Sequence, residues 1–363
     1  MGRLVLVLSC AMLLAPFGLA AQASIRIGDP GGRVGGVLLR RVLTIGEADA
    51  GPDLRPDSRP VLLADGKYAV APVDDRGVVA LYDRSGAWVT SVGHPGSGPG
   101  ELGVVRAVAA IGVDTLEIVD TRLTQQPMQG RAVTQAILGA QVTDLLPVGR
   151  GEYVGSVMGA IADPLAVIIA NRGIVRRFGG SYSGRLHPEP ELRRIAPGAD
   201  GTILAFPLNR YVIEQWSGRG DRLGTVERLA SWFRPWTWAE ATPRLGPSPR
   251  MPLFPRLLAV RGVARQMLVV SAVPVRSSLR VQPGGKDEAR TPSFASNASA
   301  FRSVIEVLDL DRRAVAAKGT FAQNVAGFVN DTLVYGFRED ADGRLLLDVS
   351  RITWQPSPPG GSR

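Results

Sequence analysis

Cysteine is almost absent from this chain of 363 residues: Cys10 is the only one, and it sits inside an apolar run from Leu4 to Leu19. Beyond it, disulfides and thiolate zinc sites are excluded. Histidine is nearly as scarce. His94 and His187 stand alone, with no second histidine or acid pair at metal-ligand spacing beside either. Lysine is rare too, with Lys67, Lys286 and Lys318 the only lysines among 42 basic residues. After the amino-terminal run no long stretch lacks both charge and proline, so no later segment reads as a membrane span of about 20 apolar residues.

What is present starts with export. MGRLVLVLSCAMLLAPFGLAAQA places one basic residue, Arg3, before the apolar run and small residues Ala21 and Ala23 around Gln22. That is the layout of a secretory signal peptide over 1–23. Cys10 lies within its apolar core rather than after it, which disfavours a lipid anchor. Cleavage is expected after Ala23, giving a secreted or periplasmic product. The formal charge then falls from +9 by the one charge of Arg3, to +8. A positive balance carried by arginine favours anionic partners without specifying nucleic acid.

From Val61 the chain reads VLLADGKYAVAPVDDRGVVALYDRSGAWVTSVG. Four short apolar runs are separated by Asp65-Gly66, Asp74-Asp75-Arg76-Gly77 and Arg84-Ser85-Gly86, the pattern of a four-stranded antiparallel meander. Residues 192–228 repeat it, with turns at Ala199-Asp200-Gly201, Leu208-Asn209-Arg210 and Ser217-Gly218-Arg219-Gly220. Looser copies run over 104–139, 142–179 and, with a long interruption, 256–321. Four-strand units at about 40–50 residues are the signature of a propeller. Residues 327–352 supply only three strands before a Pro/Gly/Ser tail at 353–363. LRRVLTIGE, residues 39–47, is an unassigned apolar run, so it is expected to complete the last blade and cover its edge. The fold class expected is therefore all-β: a six-bladed β-propeller of four-stranded antiparallel blades over 39–352, with 24–38 a lead-in.

GHPGSGPGEL, residues 93–102, has the glycine content of a phosphate cradle, yet it leads into an apolar strand rather than a helix, so a turn between blades is expected. With the meander before it, this stretch resembles an NHL-type repeat of the bacterial six-bladed propeller families, in which a Gly-Pro-Gly-Glu turn follows the outer strand. The resemblance implies the fold. It does not imply one chemistry, because such families include binding modules, lactonases and lyases.

Lyase-type relatives use a histidine cluster on zinc, which two isolated histidines do not supply. Lactonase-like relatives use Glu, Asn and Asp on a calcium-type ion at the ring centre, and no positions here match that set. Asp65 and Asp200 fit ordinary Asp-Gly turn chemistry, and Asp74 and Asp75 lie in a further turn. No cofactor is therefore expected, a divalent cation such as calcium being the alternative. Antiparallel alternation sends the long connections 94–103, 180–191, 229–255 and 276–300 to one end of the ring. His94 and His187 both fall within them. SWFRPWTW, residues 231–238, concentrates Trp232, Phe233, Trp236 and Trp238, and Arg234, Arg244, Arg250 and Arg256 face the single acid Glu240. Rings with guanidiniums suit sugars and anionic polymers, although rings packed onto the propeller as a lid fit the same pattern. The expected function is an exported, non-catalytic, monomeric binding protein for an anionic glycan, polymer or protein. Trp232, Phe233, Arg234, Trp236, Trp238, Arg244, His94 and His187 are its candidate ligand residues. The alternative is a metal-dependent hydrolase or lyase with its ion at the ring centre.

Overall fold

A computed structural model describes residues 23–47, 51–73, 77–98, 100–158, 163–180, 193–241, 250–280 and 300–355. Residues 1–22, which hold all but the last residue of the expected signal peptide, Asp74, Asp75, His187, Arg244 and the tail from 356 lie outside the described residues.

Short valine-, leucine- and tyrosine-rich runs form strands, and Asp-Gly turns reverse them. In Asp83-Arg84-Ser85-Gly86 the Asp83 carboxylate accepts from the backbone N–H of Ser85 at 2.8 Å and of Ala87 at 3.1 Å. Gly86 adopts φ 89°, a conformation that favours glycine. Asp340 repeats the device before Gly343, accepting from Asp342 at 3.0 Å and Arg344 at 2.8 Å. Local turn chemistry thus sets where each hairpin folds.

Among the described residues the strands pair into six four-stranded antiparallel units, the sixth completed by a strand from the amino-terminal end. The first blade opens with inner strand Leu54–Leu62, the second with Ala107–Ile111, the third with Val142–Gly149 and the fourth with Arg193–Pro197. The fifth opens with Arg256–Val263 and the sixth with Asn324–Phe328. The second strands are buried on both faces, as in Tyr68–Val73 and Ile203–Pro207, because each blade is covered by a neighbour on either side. Six apolar clusters fill the six interfaces. Leu268 and Val270 of the fifth blade meet Val325 and Val334 of the sixth, while Tyr335 and Phe337 of the sixth meet Tyr68 and Val70 of the first. The ring is therefore closed by packing as well as by hydrogen bonds.

Closure uses the amino-terminal run, with longer bounds than the sequence suggests. Gly35–Ile45 pairs antiparallel with Leu345–Gln355, Leu39 opposite Ile352. Its first residues, Gly35 and Gly36, also pair in parallel with Ala317 and Lys318 on the outer strand of the fifth blade. The lead-in is not plain linker: Ala23–Ile27 adds a parallel fifth strand beside Arg222–Arg228 of the fourth blade. Ile27 is fully buried there, and an edge that would otherwise be open is covered.

Candidate functional site: the mouth of the axial channel

Each inner strand runs from the end of the ring that carries the long connections toward the opposite end. The six together line an axial channel enclosing a cavity of 320 Å³. Its walls are mostly small or apolar, with Ala107, Ala109, Leu145, Ala196 and Gly327 among them. Charge collects at the long-connection mouth, where Arg59, Arg106, Asp144 and Arg194 come from the first four blades. They occupy equivalent levels, several residue pairs above the first turn of each blade. Arg261, near that turn in the fifth blade, belongs to the other end and pairs with Asp331 at 2.6 Å.

Asp144 is buried and joins three blades. Its Oδ1 accepts from Arg59 Nη1 across the axis, and its Oδ2 accepts from Arg194 Nε at 3.2 Å. Arg59 Nη1 also donates to the Thr143 carbonyl at 3.2 Å. Burial, followed by the neighbouring charge of Arg194, lowers the pKa of Arg59 to about 9. Burial likewise pulls Arg194 down, opposed by its contact with the Tyr335 hydroxyl. Tyr335 reaches this point because Gly327, its cross-strand partner, leaves the space its ring occupies. Arg106 is exposed and has no ion-pair partner among the described residues. Three guanidiniums therefore face one carboxylate.

The aromatic connection lies at the same end and does not line the channel. Phe233 and Trp236 are buried, packed on Tyr211 at 5.3 Å and on Phe254 at 5.5 Å. Trp236 Nε1 donates to the Pro255 carbonyl at 2.7 Å, and the Asn209 amide donates to the Trp236 carbonyl at 2.7 Å. Trp232 is half-buried beneath Lys318, whose Nζ stands 5.0 Å from its ring centre. Trp238 and Arg234 are exposed. Arg234 pairs with Glu240 at 2.6 Å, and Glu240 in turn accepts from Thr237 N–H at 2.8 Å. The base of the segment is tied down by Arg228, fully buried, which bonds Glu306 at 3.0 Å and Asp29 at 2.9 Å. Tyr211 donates to Glu306 at 2.8 Å. Burial, then the Glu306 charge, holds the Tyr211 hydroxyl well above its usual range.

His94 is exposed in the first long connection, away from both the channel and the rings. The glycine-rich turn beside it contains its own anion. The Glu101 carboxylate accepts from Gly98 N–H at 2.7 Å, and a Cβ on Gly96 would collide with that carboxylate. Gly96 N–H donates to the Leu102 carbonyl at 2.9 Å, and Arg122 donates to the Glu101 carbonyl at 2.6 Å. The chain turns here into strand Ala107–Ile111 without a helix, so the segment is a turn between blades and not a phosphate cradle.

The structure thus brings the buried rings together and leaves Trp238 and Arg234 at the surface. The convergence of Arg59, Arg106, Arg194 and Asp144 went unread in the sequence. Its visible trace is a charged residue just ahead of, or early in, the first apolar run of four successive units.

No family model matches the chain, and no curated protein matches it in sequence. Solved structures do match. A Bacteroides fragilis protein inferred to be exported superposes with TM-score 0.58 at 9% identity, covering 91% of this chain and 100% of that one. Virginiamycin B lyase from Staphylococcus aureus gives 0.47 at 10% identity, over 86% of this chain and 99% of that one. A streptogramin B lyase gives 0.44 at 10% identity, over 88% and 98%. No helix among the described residues is long and apolar enough to cross a membrane. The sheet topology establishes the architecture, and the likeness to the Bacteroides fragilis structure agrees with it: the chain has the β-propeller fold.

Proposed function

We propose that this chain is an exported, NHL-type six-bladed propeller that binds an anionic partner on the face carrying its long connections, without catalysis. The observation that carries the reading is the charge balance at that face, where Arg59, Arg106 and Arg194 surround the single carboxylate of Asp144. Exposed Arg234 and Trp238 stand at the same end and offer a guanidinium and a ring to a glycan or acidic polymer.

The metal-dependent hydrolase or lyase is the rival reading, and the donor set at the axis disfavours it. Asp144 is already bridged by two guanidiniums, and a divalent cation placed beside Arg59 and Arg194 would be repelled by both. Among the described residues no three His, Cys, Asp or Glu side chains come together. Affinity measurements on immobilised polygalacturonate, heparin and neutral dextran test the proposal, combined with elemental analysis of the purified protein. Retention on the two polyanions that weakens with added salt is the expected result. Equal retention on dextran, or a stoichiometric divalent ion surviving purification, would overturn it.

A further inference from the structure

We propose that the mouth of the axial channel seats one dianionic oxyanion group, of the phosphomonoester class, with Asp144 acting as its internal competitor. The inference deepens the binding function above and rests on it for the choice of face. Arg59, Arg106 and Arg194 against Asp144 leave a net charge of +2 among the groups lining the mouth, and Asp57, whose charge also reaches Arg59, is itself paired with Arg55. A single carboxylate group would leave half of that uncompensated. A phosphomonoester carries about −1.5 to −2 at neutral pH and offers three acceptor oxygens to charged donors.

Geometry supports the same ligand. Arg59 and Arg194, from the first and fourth blades, meet at Asp144, and Arg106 lines the same cavity from the start of the second blade, so three guanidiniums belong to one cavity instead of a surface stripe. Each guanidinium carries more donors than Asp144 and Thr143 engage, so an oxyanion can be bound by the outer N–H groups without first breaking the bridge. Burial already disfavours the charge on Arg59 and Arg194, and an entering anion would relieve that cost. The cavity, 320 Å³, is at the small end of ligand-pocket size and admits a group with one attached sugar ring. Free phosphate, a sugar phosphate and the phosphorylated end of an envelope polymer share this chemistry.

Calorimetric titration of the purified full chain with inorganic phosphate, glucose 6-phosphate and glucuronate, at matched ionic strength in chloride, separates these cases. Both phosphates should bind, glucuronate more weakly. Tighter binding of glucose 6-phosphate than of inorganic phosphate assigns the attached ring to the channel, and equal binding assigns only the oxyanion. Arg106→Ala, at an exposed position, should weaken phosphate by on the order of tenfold to a hundredfold. Arg265→Ala, at an exposed position on the first turn of the fifth blade, should leave phosphate unchanged. Asp144→Asn leaves two half-buried guanidiniums without their shared carboxylate; its melting temperature should fall in chloride and recover in millimolar phosphate by more than the parent's rises.

Absence of phosphate binding by the parent overturns the proposal, as does phosphate affinity indifferent to Arg106→Ala. Glucuronate binding as tightly as phosphate overturns the dianionic assignment. Polyanion retention that is lost in Arg234→Ala and kept in Arg106→Ala sinks the axial seat while leaving the long-connection face as the binding surface. If Asp144→Asn does not fold, the Arg106→Ala titration decides alone.

Discussion

The aromatic connection and the channel mouth share one end of the ring, yet their groups are partnered to opposite degrees. In the connection the Trp236 ring is stacked and its N–H donates to Pro255, and Phe233 is enclosed. At the mouth, one buried carboxylate serves two guanidiniums, and a third, that of Arg106, has no acid partner among the described residues. A region whose rings and polar groups are mostly partnered holds the fold, even with the buried Trp232 Nε1 lacking an acceptor among the described residues; a region left with surplus charge in a cavity is suited to a ligand. The conspicuous residues of the sequence, its clustered tryptophans, mostly belong to the first kind.

The sharpest way to break this contrast is Trp236→Ala. It removes a buried ring packed between Phe254 and Trp238, and stability should fall by about 3–5 kcal/mol. Denaturant titration would show this, while phosphate affinity of the folded protein stays as in the parent. A stability loss near zero would mean that the connection is not the packed element described above.

A smaller effect is expected from Asp29, which ties the amino-terminal strand to the base of the connection. It accepts from Ser231 N–H at 3.0 Å and from Arg228 at 2.9 Å, and the bonds from Ser231, with those from Arg228, lower its pKa to about 2. The folded pKa lies below the ordinary carboxylate value, so the unfolded chain binds the proton more readily. The stabilisation is complete above about 3.8 and disappears as pH falls toward about 2. Asp29 is substantially exposed, so solvent screens the contribution. Acid titration of the parent should show a steeper loss across that window than titration of Asp29→Asn, whose stability should already be lower at neutral pH. Superimposable curves would assign the acid limb to other carboxylates.

The smallest stability effect is expected at Arg234, which is exposed and, among the described residues, pairs with the exposed Glu240. Arg234→Ala should leave the melting temperature within the scatter of repeated scans and reduce retention on polyanions by no more than about threefold. A large drop in melting temperature would move Arg234 from the binding surface into the group of packed residues.

Much of the architecture was legible because its causes are local. Asp83, Asp340 and their following glycines specify tight turns from within four residues, and apolar runs between such turns pair with their immediate neighbours. Even closure could be read, since a three-strand remainder at one end of the chain calls for a strand from the other. The strand Ala23–Ile27 was not legible. Five residues carry too little pattern to announce a strand, and its partner, Arg222–Arg228, is about two hundred residues away.

The candidate site divides in the same way. The sequence alone determined the blades, the turns and the clustering of rings at one connection, because each depends on residues close together in the chain. Only the tertiary structure decided that Arg59 meets Asp144 across 85 residues and that Arg194 meets it across 50. Strand alternation says which face of a blade a side chain takes. Which side chains from different blades then share the axis depends on the level of each inner strand in the closed ring, and that level is set by the packing of all six interfaces together.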